Sequence, residues 1–338
     1  MKIHIIPVDK KPALPAILSA TILCAAVLLS SCGGNGISTV SNPPKLTADN
    51  ARRLCYGSKQ LVIAVPVKGA RGKHHIYAGM HIRPLRTFRY LFTLDDLYIE
   101  HYHRAEYIKG TLYVIRRIGS ADQKVNDWHD ELWGYRENLE GKKLFSARGI
   151  DFRISPDESL GAVLSSDRGN NEALTFIKIS SAKTVRTFTR ESVIPSPRNN
   201  DSGLHINPLA WSRDSEYFWC DLSFTVTPDR FVRIKKDTFD IETFNVSTLS
   251  LNSMELSLNP DRCTIVFSTY PPVFDAESAR EFERLRKPVL LYHYNLRTKK
   301  KRLIARSVSR RFNPVWVNSS TVVYYDHGVR GKKRVVIR

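Results

Sequence analysis

Acid is scarce in this chain: 33 Asp and Glu stand against 52 Lys and Arg, a formal charge of +19 over 338 residues. A balance this basic draws a folded domain toward anionic lipid headgroups, lipopolysaccharide phosphates, acidic wall polymers or nucleic acid. Cysteine is sparse too, with five in all, so a disulfide framework does not hold the fold. There is no G-x-S-x-G elbow, which removes the nucleophile a serine hydrolase needs. P-loop, H-E-x-x-H, EF-hand and Cys-x-x-Cys motifs are absent as well. Long helical periodicity is confined to Ala276–Arg286, AESAREFERLR, where Glu277, Glu281 and Glu283 each precede an Arg by three residues. That stretch is expected as a helical insertion in a loop.

Long apolar runs are absent but for one. Lys2, Lys10 and Lys11 precede Ala13–Leu29, which carries no charge, the pattern of a secretory signal. It ends in Leu29-Ser30-Ser31-Cys32. This tetrapeptide resembles the bacterial lipoprotein box, in which small residues fit the peptidase and the thiol takes diacylglycerol. The resemblance implies cleavage before Cys32, lipidation of Cys32 and acylation of the new amino group, enough lipid for stable anchoring. Gly33 rather than Asp after the cysteine implies the outer membrane, facing the periplasm. Residues 1–31 are thus read as signal peptide, 32–45 as lipidated cysteine and flexible tether, and 46–338 as the folded domain. Removing the signal leaves about +17, and export argues against nucleic acid as a partner. Cys55, Cys220 and Cys263 remain. An odd number cannot all pair, and whether Cys220 and Cys263 do is left open.

The domain repeats. Asp151–Ser166, Pro208–Ser223, Glu255–Thr269 and Asn313–His327 align without gaps: an apolar or aromatic residue, a polar turn, then a β run. Ile154, Trp211, Leu258 and Trp316 share one position. The turns Ser155-Pro156-Asp157, Ser212-Arg213-Asp214 and Asn259-Pro260-Asp261 follow, with Val317-Asn318-Ser319 in the last copy. Proline presets a turn dihedral and aspartate bonds its own backbone, so this chemistry recurs for a physical reason. Hairpins from Glu131, Leu174 and Val289, with a looser one from Phe239, lie between the copies. Fainter copies surround Tyr107 and Tyr56. Four strands per unit at this period close into an all-β propeller, with six blades of four antiparallel strands counted and five to seven compatible.

The turns resemble the TolB-type propeller repeat, whose signature is an aromatic, Ser-Pro-Asp-Gly and a β run. The likeness is good over Asp151–His327 and poor over Lys45–Arg148. It departs at the glycine, where Glu158, Ser215 and Arg262 stand. The resemblance implies contacts with cell-envelope proteins and transfers no binding residue. Asp157, Asp214, Asp261, Trp211 and Trp316 are therefore expected to be structural.

Candidate chemistry is thin. His101 and His103 share one face of a strand and could offer a pair of metal ligands, but two solvent-facing histidines explain them as well. Asp127–Glu131 is expected as a loop before Leu132. Lys299, Lys300, Lys301 and Arg302 form a basic cluster that suits an anionic surface. No cofactor is expected. The sequence therefore points to a lipid-anchored, non-enzymatic module that binds an envelope protein or an anionic polymer. The alternative is an envelope enzyme, or a carbohydrate-acting protein, with its site in the central channel.

Overall fold

A computed structural model describes residues 5–7, 52–53, 60–70, 73–80, 89–94, 105–118, 129–136, 141–167, 171–193, 203–224, 227–272, 276–326 and 331–337. Short runs rich in Val, Ile, Phe and Tyr between polar turns form strands, because such side chains suit a pleated, half-buried surface. The strands make six four-stranded antiparallel sheets, and the fold is a β-propeller. Each copy counted in the sequence corresponds to one sheet.

Sheet 1 holds Arg52–Arg53, Gln60–Pro66, His74–Met80 and Arg89–Leu94; sheet 2 holds Ala105–Ile108, Thr111–Ile118, His129–Arg136 and Lys142–Ala147. Sheet 3 comprises Asp151–Ile154, Leu160–Ser166, Glu172–Lys178 and Lys183–Thr189. Sheet 4 comprises His205–Trp211, Tyr217–Phe224, Thr227–Lys235 and Ile241–Asn245. Sheet 5 is built from Leu256–Asn259, Thr264–Ser268, Pro288–Asn295 and Lys301–Val308. Sheet 6 is built from Val315–Trp316, Thr321–Asp326 and Gly331–Val336, and its fourth strand is Ile5–Pro7 from the other end of the chain.

Within the first five sheets, and among the first three strands of the sixth, the strands follow chain order, so the repeat turns gather at one end and the sheet-to-sheet crossovers at the other. The apolar cores lie between sheets. One cluster joins Val62 and Ile76 of sheet 1 to Leu112 and Leu132 of sheet 2 and Phe152 of sheet 3. Others join sheets 3 and 4 through Phe176 and Phe218, sheets 4 and 5 through Trp219 and Phe267, and sheets 5 and 6 through Leu291 and Val322. A sheet alone leaves both faces uncovered, so each depends on its neighbours. The expected helix is Ala276–Arg284, inserted between the second and third strands of sheet 5. Phe282 packs its ring edge-on to Tyr270 at 5.0 Å and so pins the helix to the sheet end.

Candidate functional site

The repeat turns do more than reverse the chain. Ser155 donates its hydroxyl to Asp157 and accepts the Leu160 N–H at 3.0 Å, while Asp157 also accepts the Ser159 N–H at 3.0 Å. Ser212, Asp214, Glu216 and Tyr217 repeat that pattern in sheet 4. Burial would raise the Asp157 carboxyl, but bonds from Lys236, Ser155 and Ser159 outweigh it and hold the group well below the usual carboxylate range. Asp261 behaves differently. It reaches across to sheet 4 and accepts the Arg213 N–H at 2.7 Å.

The positions where the resembling family has glycine explain themselves. Glu158 and Ser215 both adopt left-handed backbone, with φ of 61° and 65°, a conformation that disfavours residues with a Cβ. Each uses its side chain to bond the preceding sheet. Glu158 accepts the Tyr113 hydroxyl of sheet 2 at 2.6 Å, and Ser215 accepts the Asp157 N–H of sheet 3 at 3.0 Å. In sheet 5 the left-handed residue is Cys263, one position later. Asn259 donates to the Ser319 carbonyl of sheet 6 at 2.9 Å. A belt of bonds thus runs from Tyr113, in the second strand of sheet 2, through the repeat turns of sheets 3 to 6.

The crossover end and the inner strands are stitched by carboxylates. Asp130 of sheet 2 accepts the Ile150 N–H at 3.2 Å, and Glu106 accepts that of Ile154 at 2.9 Å. Glu172 of sheet 3 accepts the Ile206 N–H at 2.8 Å and pairs with His205 at 3.0 Å. Glu255, wholly buried before sheet 5, accepts the Phe312 N–H at 2.9 Å, the Asn313 N–H at 3.3 Å and the Ser268 hydroxyl at 2.7 Å. A buried carboxylate needs such donors, because losing water without replacement is costly. Arg153 adds a further tie. It donates to the carbonyls of Pro208 and Leu209, both at 2.7 Å, where a bulge in the first strand of sheet 4 turns them out.

Two features remain for chemistry. A polar cleft of about 380 Å³ opens at the crossover end of sheet 3, among Arg148, Ser165, Asp167, Glu172, Arg190 and Glu191. Its acids are engaged: Asp167 holds Asn171 at 2.8 and 2.9 Å, and Glu172 is the seam residue above. The second is Asp221, 3% exposed, which accepts the Asn207 amide at 2.9 Å. Burial pushes its carboxyl up to about 6 against the bonds from Asn207 and Ser223. Among the described residues no group of three His, Cys, Asp or Glu is placed to hold a metal ion.

The residues singled out by sequence fall as follows. Trp211 and Trp316 lie in the cores between sheets 3 and 4 and between sheets 5 and 6. Lys299, Lys300, Lys301 and Arg302 follow the hairpin turn of sheet 5 at the repeat-turn end, with the Lys301 ammonium 4.8 Å from the Tyr292 ring centre. Cys220 and Cys263 are buried free thiols. Cys32, Cys55, His101 and His103 lie outside the described residues, as do Asp127 and Trp128. His129–Glu131, expected in a loop, instead opens a strand. The reason is Asp130, whose seam bond to Ile150 gives a buried carboxylate its partner within a strand. Sequence reasoning missed the seam residues Glu106, Glu172 and Glu255. Their only local signal is a lone acid at or beside the start of a β run.

No protein-family model matches the chain, and no curated protein matches it in sequence. Among solved structures it is similar to TolB from Acinetobacter baumannii, with a TM-score of 0.43 and 11% identity over 78% of this chain and 59% of that one. It is similar to the β-propeller domain of the Trilobed protease from Pyrococcus furiosus, with a TM-score of 0.45 and 12% identity over 81% of this chain and 78% of that one. It is also similar to the acylaminoacyl peptidase of Pyrococcus horikoshii, with a TM-score of 0.45 and 10% identity over 80% of this chain and 42% of the peptidase. Such likenesses concern the fold alone. The chain spans 59% of the TolB chain and less than half of the peptidase.

Proposed function

We propose that the chain is a lipid-anchored cell-envelope propeller that binds a protein or an anionic polymer and carries out no reaction of its own. The observation that supports a binding module is the use of the acids at its sheet junctions. Asp130, Glu106, Glu172 and Glu255 each accept a backbone N–H from the stretch of chain that enters or begins the following sheet, so these acids are engaged in holding sheets together. The anchor rests on Leu29-Ser30-Ser31-Cys32 after the charge-free run. Cleavage there removes Ile5–Pro7, so the mature sixth sheet ends on Gly331–Val336 unless another strand takes its place. Lys299–Arg302 is one candidate anionic contact. Crosslinking in intact cells, followed by capture from envelope extracts, tests the reading. A crosslinked envelope protein or wall polymer, lost when Cys32 is replaced, supports it; recovery of cytoplasmic nucleic acid overturns it.

A second reading, an enzyme with its site in the channel, is favoured by Asp221 alone, a buried carboxyl able to change charge near neutral pH beside an inner strand. Turnover of envelope glycans that vanishes in Asp221→Asn would establish it.

A further inference from the structure

Sheet 5 carries a patch that none of the above uses. The inserted helix ends at Arg284; the Leu285 N–H donates to the Glu281 carbonyl at 3.0 Å, and Arg286 turns left-handed at φ 48°. The chain then runs alongside the last strand. Pro288 pairs with Val308, and Lys287 accepts the Ser309 N–H and hydroxyl at 2.8 and 3.2 Å. These bonds bring Leu285–Pro288 and Arg306–Arg310 together at the crossover end. Leu285 is 45% exposed and Val308 50% exposed, two of the six exposed large apolar side chains among the described residues. Arg286, Lys287, Arg306 and Arg310 surround them and are exposed. Arg306 and Val308, two apart on one strand, point the same way. The nearby acids are Glu283, 3.8 Å from Arg310, and Glu281, which pairs with Arg284 and also feels the charge of Lys287.

We propose that this end of sheet 5 is a membrane-contact surface for anionic lipid, with Leu285 and Val308 entering the headgroup boundary and Arg286, Lys287 and Arg306 meeting lipid phosphates. Aliphatic side chains mixed with long cations suit an interface in which the tip of each cation stays wet while its stem is covered. A protein-docking core would be expected to carry aromatic residues and to shed charge, and this patch does neither. The surplus of base over acid in the whole chain adds the longer-range attraction. The proposal builds on the tethered reading, which would keep the patch near a bilayer. It differs from Lys299–Arg302, which lies at the opposite end of the same sheet.

Hydroxyl-radical footprinting of the full chain on vesicles tests it, because oxidation reports side-chain exposure directly. On vesicles with about one-third phosphatidylglycerol, a composition chosen to supply anionic charge, oxidation of Leu285 and Val308 should fall. On pure phosphatidylcholine it should not, and Val185, 48% exposed on sheet 3, should be oxidised equally on both. High salt should restore oxidation by screening. In the variant R286E/K287E/R306E the protection should be lost with an unchanged thermal melt. Equal oxidation on both vesicle types overturns the proposal, as does protection that survives the triple reversal or that appears at Lys299–Arg302 instead. The mass of the amino-terminal peptide reports the state of Cys32 separately, so failure of the anchor and failure of the patch are distinguishable.

Discussion

Trp211 and Trp316 make the same bond in different sheets: each indole N–H donates, at 3.1 Å, to a backbone carbonyl of the preceding sheet, that of Arg153 for one and Ser257 for the other. Arg153 and Ser257 are themselves equivalent, each one residue before the repeat's apolar position. Both rings are nearly buried, at 6% and 7% exposure. Replacing either by Ala should cost about 3–5 kcal/mol, and by Phe about 1 kcal/mol for the lost bond. Denaturant titrations of the four variants check this. Alanine variants as stable as the parent would mean that the tryptophans do not hold the seams.

Glu158 offers a test of strain against bonding. Its left-handed backbone costs about 1 kcal/mol, and its bond to the buried Tyr113 hydroxyl returns about 1.5–3 kcal/mol. Glu158→Ala keeps the strain and loses the bond, so it should be the worst variant. Glu158→Gly should be milder by about 1 kcal/mol, and adding Tyr113→Phe should recover stability by removing the orphaned hydroxyl. If Ala and Gly proved equal at this position, the backbone there would carry no strain.

Near neutrality burial disfavours the charged forms of His75 and His293, and Asp221 acts with the opposite sign. Its folded value of about 6 lies above that of an unfolded aspartate, so the folded chain binds more protons between the two. The stability it contributes is fully present below about pH 4 and disappears as pH rises through about 6, a change of roughly 3 kcal/mol. Asp157 has the opposite sign. Its folded value is depressed, so its contribution is lost only as pH falls below the ordinary carboxylate range. Unfolding midpoints of the parent and Asp221→Asn, compared from pH 4 to 7, should diverge in slope; parallel profiles would remove Asp221 from the account.

Replacing Cys32 by Ser removes the thiol that takes diacylglycerol. The variant is expected to stay unprocessed or to become soluble, as read by fractionation and by its size when the lipoprotein signal peptidase is inhibited. A membrane-bound variant of mature size would exclude lipidation at Cys32.

What could be read from the sequence was local. Ser155-Pro156-Asp157 and its counterparts advertise a turn because every bond within that turn is made across five residues or fewer, and the periodic return of this turn implies the sheets. The seams were invisible for the opposite reason. Glu106 finds Ile154, and Glu255 finds Phe312, dozens of residues away, and nothing near a lone glutamate announces such a partner. The missing glycine misled in an instructive way. Glu158 and Ser215 looked like departures from the repeat, whereas each keeps the backbone of glycine and adds a bond that glycine lacks.

Glu106, Asp130, Glu172 and Glu255 face the same way round the ring, the acid in the earlier stretch of chain and the amide in the later one, whereas Asp261 reaches back to Arg213. For a polypeptide that emerges amino end first, each of those four receptors is therefore in place before its donor arrives. Sheets 3, 4 and 6 can be clasped by their predecessors in this way, without waiting for the carboxyl end. Assembly at these junctions is given a direction, which limits the time available for pairing with the wrong chain.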